Sequence, residues 1–430
     1  MEIERIKKVI VDQREEIEEF FRREEIIERE INLEKFRKFL KHPNILVITG
    51  PRRSGKSTLA VSMFRGEEYG YLNFDDERLV GFSSADFNTA IRAFYDLYGE
   101  NLDCFIFDEI QNIANWELFA TRLRRTKKIV ITGSNAKLLS GDLATHLTGR
   151  YLESALYPFS FREFLRFKKF EVKNEYFYST KKISQISGLL DEYLKNGGFP
   201  ETLKFGPAIA GKIYDDVIVK DILLRYGIKN KDAFRKMANY LISNFGQEIG
   251  YAKLGNIFSI KNVHTARNYT EYLSSSFLIF IVEKFSYKLK QQFITSKKVY
   301  GIDTGLVNAV AFQFTENSGK IMENAVMVDL KRRADYFGSG GEIYYWRDYS
   351  GREVDFVVKK GNKIIQLIQV CQSLANFDTK EREIKSLLKA SDELRCDDLL
   401  IITRSEESEE KIIGKKIIVT PLWKWLLNHS

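Results

Sequence analysis

The sequence predicts an α/β protein whose first part is built on a parallel β-sheet. Between residues 45 and 157, short apolar runs rich in β-branched and aromatic residues alternate with helical stretches, and a glycine-rich loop follows the first run. Strands of this kind are buried on both faces, as in sheets covered by helices. Strand patterns return after residue 340, which predicts a second α/β region.

Composition excludes several classes of protein. The chain has 430 residues, 44% of them hydrophobic and 29% charged, so about three domains are expected. Uncharged stretches such as residues 277–282 are too short to span a bilayer, and residues 1–20 are too charged for a secretory signal. Three cysteines and four histidines define neither a zinc site nor a disulfide framework. We therefore expect a protein of the reducing cytoplasm without a membrane partner, and its net charge of +8 permits a nucleic-acid partner.

The elements of the first part are justified in chain order. Residues 1–40 are expected to be helical, because Ile17, Phe20 and Phe21 recur at helical spacing among charged residues. Either this segment packs on the next domain or it is an arm that binds a partner. The sheet domain is predicted over residues 41–157, with its strands at residues 45–49, 71–74, 103–107, 128–132 and 151–157.

Three further regions follow the sheet domain. Residues 158–230 are predicted to be a helical lid, interrupted by a turn at residues 197–200, which read Gly-Gly-Phe-Pro. Residues 231–300 are expected to hold short helices followed by a hairpin. Residues 301–430 are expected to form the second α/β domain, with helices at 321–335 and 379–391 and strands at 344–346, 353–359, 363–370 and 398–403.

The glycine-rich loop carries the clearest chemical signal. Residues 50–57 read Gly-Pro-Arg-Arg-Ser-Gly-Lys-Ser and fit the pattern G-x-x-x-x-G-K-[ST] between a predicted strand and a predicted helix. Backbone N–H groups of such a loop wrap phosphates, the lysine reaches the β- and γ-phosphates, and the serine hydroxyl binds Mg²⁺. The predicted nucleotide-binding residues are Gly50, Pro51, Arg52, Arg53, Ser54, Gly55, Lys56, Ser57 and Thr58.

The ends of the next strands supply candidate catalytic residues. Asp108 is placed to hold Mg²⁺ through water, and Glu109 to orient and polarise the attacking water. Asn135, after the following strand, is either a sensor of the γ-phosphate or part of an ordinary turn. Arg150 is either an arginine finger, in the same chain or in a neighbouring subunit, or a surface arginine.

These segments together resemble an AAA+-type P-loop ATPase, with Walker A, Walker B and sensor-like elements at residues 50–57, 104–109 and 132–135. The phrases YLNFDDERL, FDEIQN, ITGSN, LTGR, LYPFSFREFL and GGFPE are similar to a family of bacterial and archaeal ATP-binding proteins. In that family an AAA+-like module precedes a C-terminal domain of unknown function. The resemblance extends over most of the chain and implies an additional strand between the Walker strands. It also implies ATP rather than GTP, and no N-K-x-D element follows the last strand.

Residues 231–300 resemble a winged helix. Residues 251–258 and 263–275 would be the two helices of its helix-turn-helix, and a basic wing would follow. The candidate DNA-contacting residues are His264, Arg267 and Asn268 on the second helix and Lys288 and Lys290 in the wing. The alternative is that this domain serves only as a packing module.

Residues 320–404 resemble the PD-(D/E)xK nuclease core, in which carboxylates hold Mg²⁺ and a lysine assists catalysis. Glu323 and Asp355 stand at two of the expected carboxylate positions. Gln369 and Cys371 replace the glutamate and lysine of the E-x-K element, so we expect a nuclease-like domain without activity. A lysine from elsewhere in the chain, such as Lys359, is the arrangement that would restore it.

The function expected from the sequence is that of a Mg²⁺-dependent ATPase that acts as a conformational switch. The alternatives are a module whose contact with DNA or protein is controlled by nucleotide without turnover and, less favoured, an ATP-regulated nuclease. The expected cofactors are ATP and Mg²⁺. The expected partners are double-stranded DNA, a protein that the sequence does not identify, or further copies of the chain.

Overall fold

A computed structural model of the chain describes residues 1–136, 149–311, 318–338 and 340–428. The chain divides into two compact units, Met1–Tyr157 and Pro158–Ser430. In the part of the chain that the structure describes, no helix is long and apolar enough to cross a membrane.

The first unit begins with a long helix, α1 (Ile3–Arg23), which buries Ile6, Val9 and Ile10 in the same core as the sheet. The helix therefore packs on the sheet domain, the first of the two alternatives given above. The expectation of helix throughout residues 1–40 is wrong, because residues 24–32 are not helical. Here the Arg29 guanidinium donates hydrogen bonds to the carbonyls of Ser54 and Tyr157, which ties the segment to the phosphate loop.

The sheet of the first unit is parallel, as predicted. Its strands lie in the order β2-β3-β4-β1-β5, so β4 is the additional strand between the two that carry the Walker motifs. Helices follow or precede these strands and cover the sheet. The elements are α2 (Leu33–Phe39), β1 (Ile45–Thr49), α3 (Lys56–Ser62), β2 (Gly70–Asn73), α4 (Phe87–Tyr98), β3 (Cys104–Asp108), α5 (Trp116–Leu123), β4 (Lys128–Gly133) and β5 (Tyr151–Ala155).

Burial explains why these segments form strands. Every residue of β1 and β3 is buried, and Ile45, Phe105 and Ile131 belong to one apolar core with α1 and α4. Aromatic rings fill much of that core, since Phe87 stacks on Phe119 with ring centroids 4.0 Å apart. Because parallel strands end at the same edge, this core fixes the positions of the loops that follow β1, β3 and β4.

The second unit begins with helices and ends with a large mixed sheet. Its helical part comprises α6 (Phe161–Phe167), α7 (Thr180–Asn196), α8 (Pro200–Phe205), α9 (Ala208–Asp216), a π-helical continuation (Val217–Leu224) and α10 (Lys231–Ser243). The elements after it are β6 (Glu248–Ile249), α11 (Tyr251–Ile257), α12 (Val263–Ser275), β7 (Ile279–Lys284), α13 (Leu289–Ile294), β8 (Lys297–Gly301) and α14 (Thr304–Val310). The last are α15 (Ser318–Phe337), β9 (Glu342–Arg347), β10 (Glu353–Lys360), β11 (Lys363–Val370), α16 (Phe377–Leu394), β12 (Leu399–Thr403), β13 (Ser408–Ile412), β14 (Lys415–Pro421) and α17 (Leu422–Leu427).

One sheet joins the two parts of this unit that the sequence separates at residue 300. Its strand order is β13-β14-β12-β11-β10-β9-β7-β8-β6, and β7 pairs in parallel with β9 through Glu283 and Tyr344. The predicted wing also differs, because the helix α13 lies between β7 and β8 instead of an extended hairpin tip. The division into a winged helix and a nuclease-like domain therefore stays a prediction.

Candidate nucleotide site

The phosphate loop has the backbone that its two glycines allow. Gly50, directly after β1, has φ 146°, and a Cβ there would lie 2.3 Å from the Leu156 carbonyl oxygen. Gly55 is left-handed with φ 92° and caps α3, which begins at Lys56. The loop thus leaves a strand and opens a helix, which directs the positive end of the helix dipole toward the loop.

Lys56 and Ser54 are buried within this loop. The Lys56 ammonium donates to the Pro51 carbonyl at 3.1 Å and lies 3.6 Å from Glu109 Oε1. Ser54 Oγ is buried and, within the described ranges, has no hydrogen-bond partner. A buried ammonium beside a buried hydroxyl without a partner is an environment suited to an anion with several acceptor oxygens.

Asp108 ends β3 and is surrounded by hydroxyl groups. The Tyr71 hydroxyl donates to Asp108 Oδ2 at 2.6 Å, and the Thr132 hydroxyl donates to Asp108 Oδ1. Burial, together with the neighbouring Glu109 carboxylate, raises the pKa of Asp108, although hydrogen bonds from Tyr71, Thr132 and Ser57 act in the opposite direction. A cation beside this carboxylate would offset its desolvation, so Asp108 and Ser57 fit a Mg²⁺ site.

Glu109 sits in an unusual backbone conformation next to Asp108. Its φ is 52°, and its side chain accepts hydrogen bonds from the Gln111 side chain and, at 3.3 Å, from the Ser134 N–H. Burial acts to raise the pKa of Glu109, but Lys56 and Arg52 oppose it and hold the pKa below its ordinary value. The carboxylate is therefore ionised and can accept a proton or a hydrogen bond from water.

The other candidates of the first unit lie at different distances from the loop. Asn135 is buried after β4, beside Ser134. Arg150 is exposed and precedes β5 at the amino end of the sheet, whereas the phosphate loop follows the carboxyl end of β1. Five residues of strand separate these edges, about 17 Å at 3.3 Å per residue. Arg150 therefore does not reach the loop of its own chain, and its role in a neighbouring subunit stays a prediction.

A cavity of about 210 Å³ opens beside the phosphate loop. Its lining combines the carboxyl half of α1 with the first turns of α3, and it consists of Glu16, Ile17, Phe20, Phe21, Ser57, Thr58 and Val61. The sequence analysis placed Phe20 and Phe21 only on a helical face, and it missed Tyr71 and Arg29 as neighbours of the site. The motif contains no signal for residues that come from other elements.

The DNA-contacting candidates of the second unit share one exposed surface only in part. His264, Arg267 and Asn268 are exposed on α12, and their spacing places them on one face of the helix. Arg267 Nε donates to Glu271 Oε1 at 3.0 Å, so its charge is compensated within the helix. Lys288 precedes α13 and Lys290 lies within it.

The nuclease-like candidates come together around a residue that the sequence analysis did not name. Glu323 and Asp355 both contact the Lys298 ammonium, which comes from β8, at 3.0 and 3.3 Å. Gln369 Oε1 accepts a hydrogen bond from the Asp355 N–H at 3.3 Å. Lys359, the lysine considered from the sequence, pairs instead with Glu342. Cys371 is buried, and burial raises its thiol pKa to about 12.

Comparison with known proteins agrees with the site in the first unit. Residues 42–165 match a family model described as an AAA domain. Residues 187–317 and 318–425 match two domains of unknown function, DUF8612 and DUF4143. Together with the parallel sheet and the loop geometry, the first match defines a P-loop ATPase domain of AAA type.

Relatives along the whole chain define its family. The chain is 36% identical to the uncharacterized protein MJ1544 of Methanocaldococcus jannaschii, with 96% of this chain and 93% of the relative covered. It is 30% identical to an uncharacterized protein of Haemophilus influenzae, covering 93% of this chain and 98% of the relative. The chain belongs to the family of these proteins. Among solved structures, a Walker-type ATPase of Pyrococcus abyssi is similar, with 15% identity, 66% of this chain and 96% of that chain covered, and a TM-score of 0.43.

Proposed function

We propose that the chain binds ATP with Mg²⁺ at the phosphate loop, hydrolyses it, and changes conformation with the state of the nucleotide. The observation that carries the proposal is the convergence of Lys56, Asp108 and Glu109 at one edge of a parallel sheet. Lys56 lies 3.6 Å from Glu109, and Asp108 adjoins Glu109 in the chain. These are the groups that phosphoryl transfer needs for charge, metal and water.

Each residue has a distinct task in the proposed reaction. The loop N–H groups and the Lys56 ammonium hold the phosphates, while Ser57 and Asp108 hold the metal. When bound, Mg²⁺ neutralises charge on the β- and γ-phosphate oxygens. Glu109 accepts a hydrogen bond from the attacking water and orients it toward the γ-phosphate. Its lowered pKa supports this task, because an ionised carboxylate can accept that bond at neutral pH.

The contacts of Glu109 support a switch at the same place. Without nucleotide, Lys56 is shared between the Pro51 carbonyl and the Glu109 carboxylate. A phosphate that attracts the Lys56 ammonium would weaken its attraction for Glu109. Glu109 also accepts from the Ser134 N–H after β4, so its movement would reach a second loop. The state of the nucleotide would in this way alter loops that follow two different strands.

The cavity beside α3 is the place we propose for the base of the nucleotide. It adjoins Ser57 and Thr58, directly after the lysine of the loop, and two aromatic rings from α1 line it. Aromatic rings stack on nucleobases, which are flat and apolar on their faces. The N-terminal helix would then help to select a nucleotide over a bare polyphosphate.

Two substitutions test hydrolysis. Lys56→Ala is expected to abolish nucleotide binding or turnover, because it removes the buried cation of the loop. Glu109→Gln is expected to retain ATP but slow its hydrolysis roughly 10²–10⁴-fold, the usual effect of losing a general base. Steady-state phosphate release and retention of labelled ATP measure both effects. The exposed residues Lys41 and Glu100 provide matched controls, Lys41→Ala and Glu100→Gln, which should behave like the wild type. Full turnover by Lys56→Ala or Glu109→Gln would contradict the proposal.

A further inference from the structure

The second unit holds a cluster of charged side chains that the nucleotide site does not use. Glu323 on α15 and Glu353 and Asp355 on β10 direct their carboxylates at one point in the sheet. The succession α15-β9-β10-β11-α16-β12 is the one in which the nuclease-like interpretation expects a divalent cation. Whether these residues fit a metal ion depends on what lies at that point.

The Lys298 ammonium lies there. Its Nζ is 2.5 Å from Glu353 Oε1, 3.0 Å from Glu323 Oε1 and 3.3 Å from Asp355 Oδ1, and the residue is 2% exposed. Burial acts to lower the pKa of Lys298, but its neighbours, Glu323 first among them, raise it well above its ordinary value. The ammonium is therefore permanently charged among carboxylates from two different elements.

The remaining oxygens of the cluster are also satisfied by protein donors. Glu323 Oε1 accepts from the Tyr300 hydroxyl at 2.5 Å as well as from Lys298. Asp355 Oδ2 accepts from the Val370 N–H at 2.9 Å. Mg²⁺ requires oxygens at about 2.0–2.1 Å in an octahedral arrangement, and it cannot share its position with an ammonium. Among the described residues, no three His, Cys, Asp or Glu side chains are arranged to hold a metal ion.

We propose that Lys298 takes the place of a metal ion in this cluster. Three carboxylates that converge in a buried site repel one another unless a cation lies between them. A divalent ion would do this in a nuclease, and here the chain supplies the cation itself. The nuclease-like region is consequently closed to metal, and its fold does not depend on Mg²⁺. Removing the ammonium should uncover a site for a divalent cation.

The test measures thermal unfolding of the full chain in EDTA and in millimolar Mn²⁺, without nucleotide. The wild type should show no stabilisation by Mn²⁺ that Asp355→Asn removes. Lys298→Met should unfold several degrees lower in EDTA and regain much of that loss in Mn²⁺, because an ion that binds only the folded state stabilises it. The regained stability should disappear in the double variant Lys298→Met, Asp355→Asn. A metal effect at the phosphate loop would be common to all of these proteins and would cancel.

Lys297 offers a matched control in the next position of β8. Its ammonium pairs with Glu283 at 2.7 Å and has no carboxylate of the cluster as a partner. Lys297→Met should therefore lose stability without any rescue by Mn²⁺. Lys298→Arg, which keeps the charge, should likewise show no response to the metal.

Two results would overturn the proposal. One is stabilisation of the wild type by Mn²⁺ that Asp355→Asn abolishes, because the metal would then bind beside Lys298. The other is the absence of any gain in Mn²⁺ for both Lys298→Met and Lys298→Gln, and this includes failure to fold in either condition. Folding of Lys298→Met only when Mn²⁺ is present would support it.

Discussion

At the scale of residues, the nucleotide site depends on pairs of groups that come from different loops. Lys56 would carry an uncompensated charge in a buried loop if Glu109 were absent. Asp108 in turn is stabilised by hydroxyls from β2 and β4. Each carboxylate is held by neighbours in the next strands, which is how a sheet edge can position charges with little freedom.

The residues that could be predicted are those within one short motif. Residues 50–57 and the pair Asp108 and Glu109 have fixed local spacing, so their pattern is visible without a structure. Lys298 could not be placed, because its partners belong to α15 and β10 and meet it only in the folded sheet. A signal did exist: Lys298 precedes Val299 and Tyr300 in a strand whose residues are all buried, and a buried lysine needs acidic partners.

Phe20 provides the residue-scale prediction. Phe20→Ala should weaken ATP binding, because base stacking on an aromatic ring contributes about 1–3 kcal/mol, roughly 5- to 150-fold in affinity. Binding of inorganic triphosphate, which has no base, should not change. Calorimetric titration of both ligands measures the difference, and Leu118→Ala, at an exposed apolar position on α5, is the control. Equal loss of affinity for both ligands would show that the base does not occupy the cavity.

At the scale of elements, the Gly-Gly-Phe-Pro turn shows why a short phrase is specified so tightly. The turn ends α7 and is held by Asp303, whose carboxylate accepts from the Gly198 N–H at 2.6 Å and caps α14 through the Leu306 N–H at 2.9 Å. Burial raises the pKa of Asp303 to about 6, although these N–H groups oppose the shift. The sequence predicted a turn here, but not that a distant aspartate would hold it.

Gly198→Ala is the element-scale prediction. A Cβ at this position would lie 2.2 Å from the Phe159 carbonyl oxygen, which is fixed by a hydrogen bond from the Tyr193 hydroxyl. We expect the free energy of unfolding to fall by more than about 2 kcal/mol, as for other forced backbone shifts. Gly188 lies inside α7 with nothing near its would-be Cβ, so Gly188→Ala should stabilise by up to about 1 kcal/mol. Urea unfolding of both variants measures these changes. A Gly198→Ala variant as stable as the wild type would mean that the turn adjusts freely.

At the scale of the whole molecule, strand pairing limits what the sequence can predict about domains. The parallel sheet of the first unit was predictable, because its strands are short, apolar and separated by helices. In the second unit, β7 and β9 pair across more than one intervening element, so the sheet crosses the predicted boundary at residue 300. The pairing depends on contacts between distant segments, which no local pattern records. The strands β13 and β14 were missed, because their exposed, charged residues resemble a loop.

Contact with DNA is the last prediction and concerns how the net charge of +8 is used. If the exposed face of α12 binds DNA, Arg267→Ala and Lys288→Ala should each weaken binding and lower the salt dependence by about one unit per phosphate contact. Glu271→Ala should have the opposite effect, because Glu271 compensates the charge of Arg267 at 3.0 Å. Lys181→Ala, at an exposed lysine on α7, is the control.

The same titration separates the two classes of function that remain. Fluorescence anisotropy with a labelled duplex at several salt concentrations measures the affinity, and phosphate release with and without the duplex measures turnover. A switch that uses its ATPase on DNA should change its turnover when DNA is added, whereas a nucleotide-controlled binding module should change its affinity for DNA when ATP is added and show negligible turnover. Affinity and salt dependence that are unchanged in Arg267→Ala, Lys288→Ala and Glu271→Ala would exclude α12 as the binding surface. The charge would then serve another partner, since opposite effects of removing an arginine and its paired glutamate are what an electrostatic interface requires.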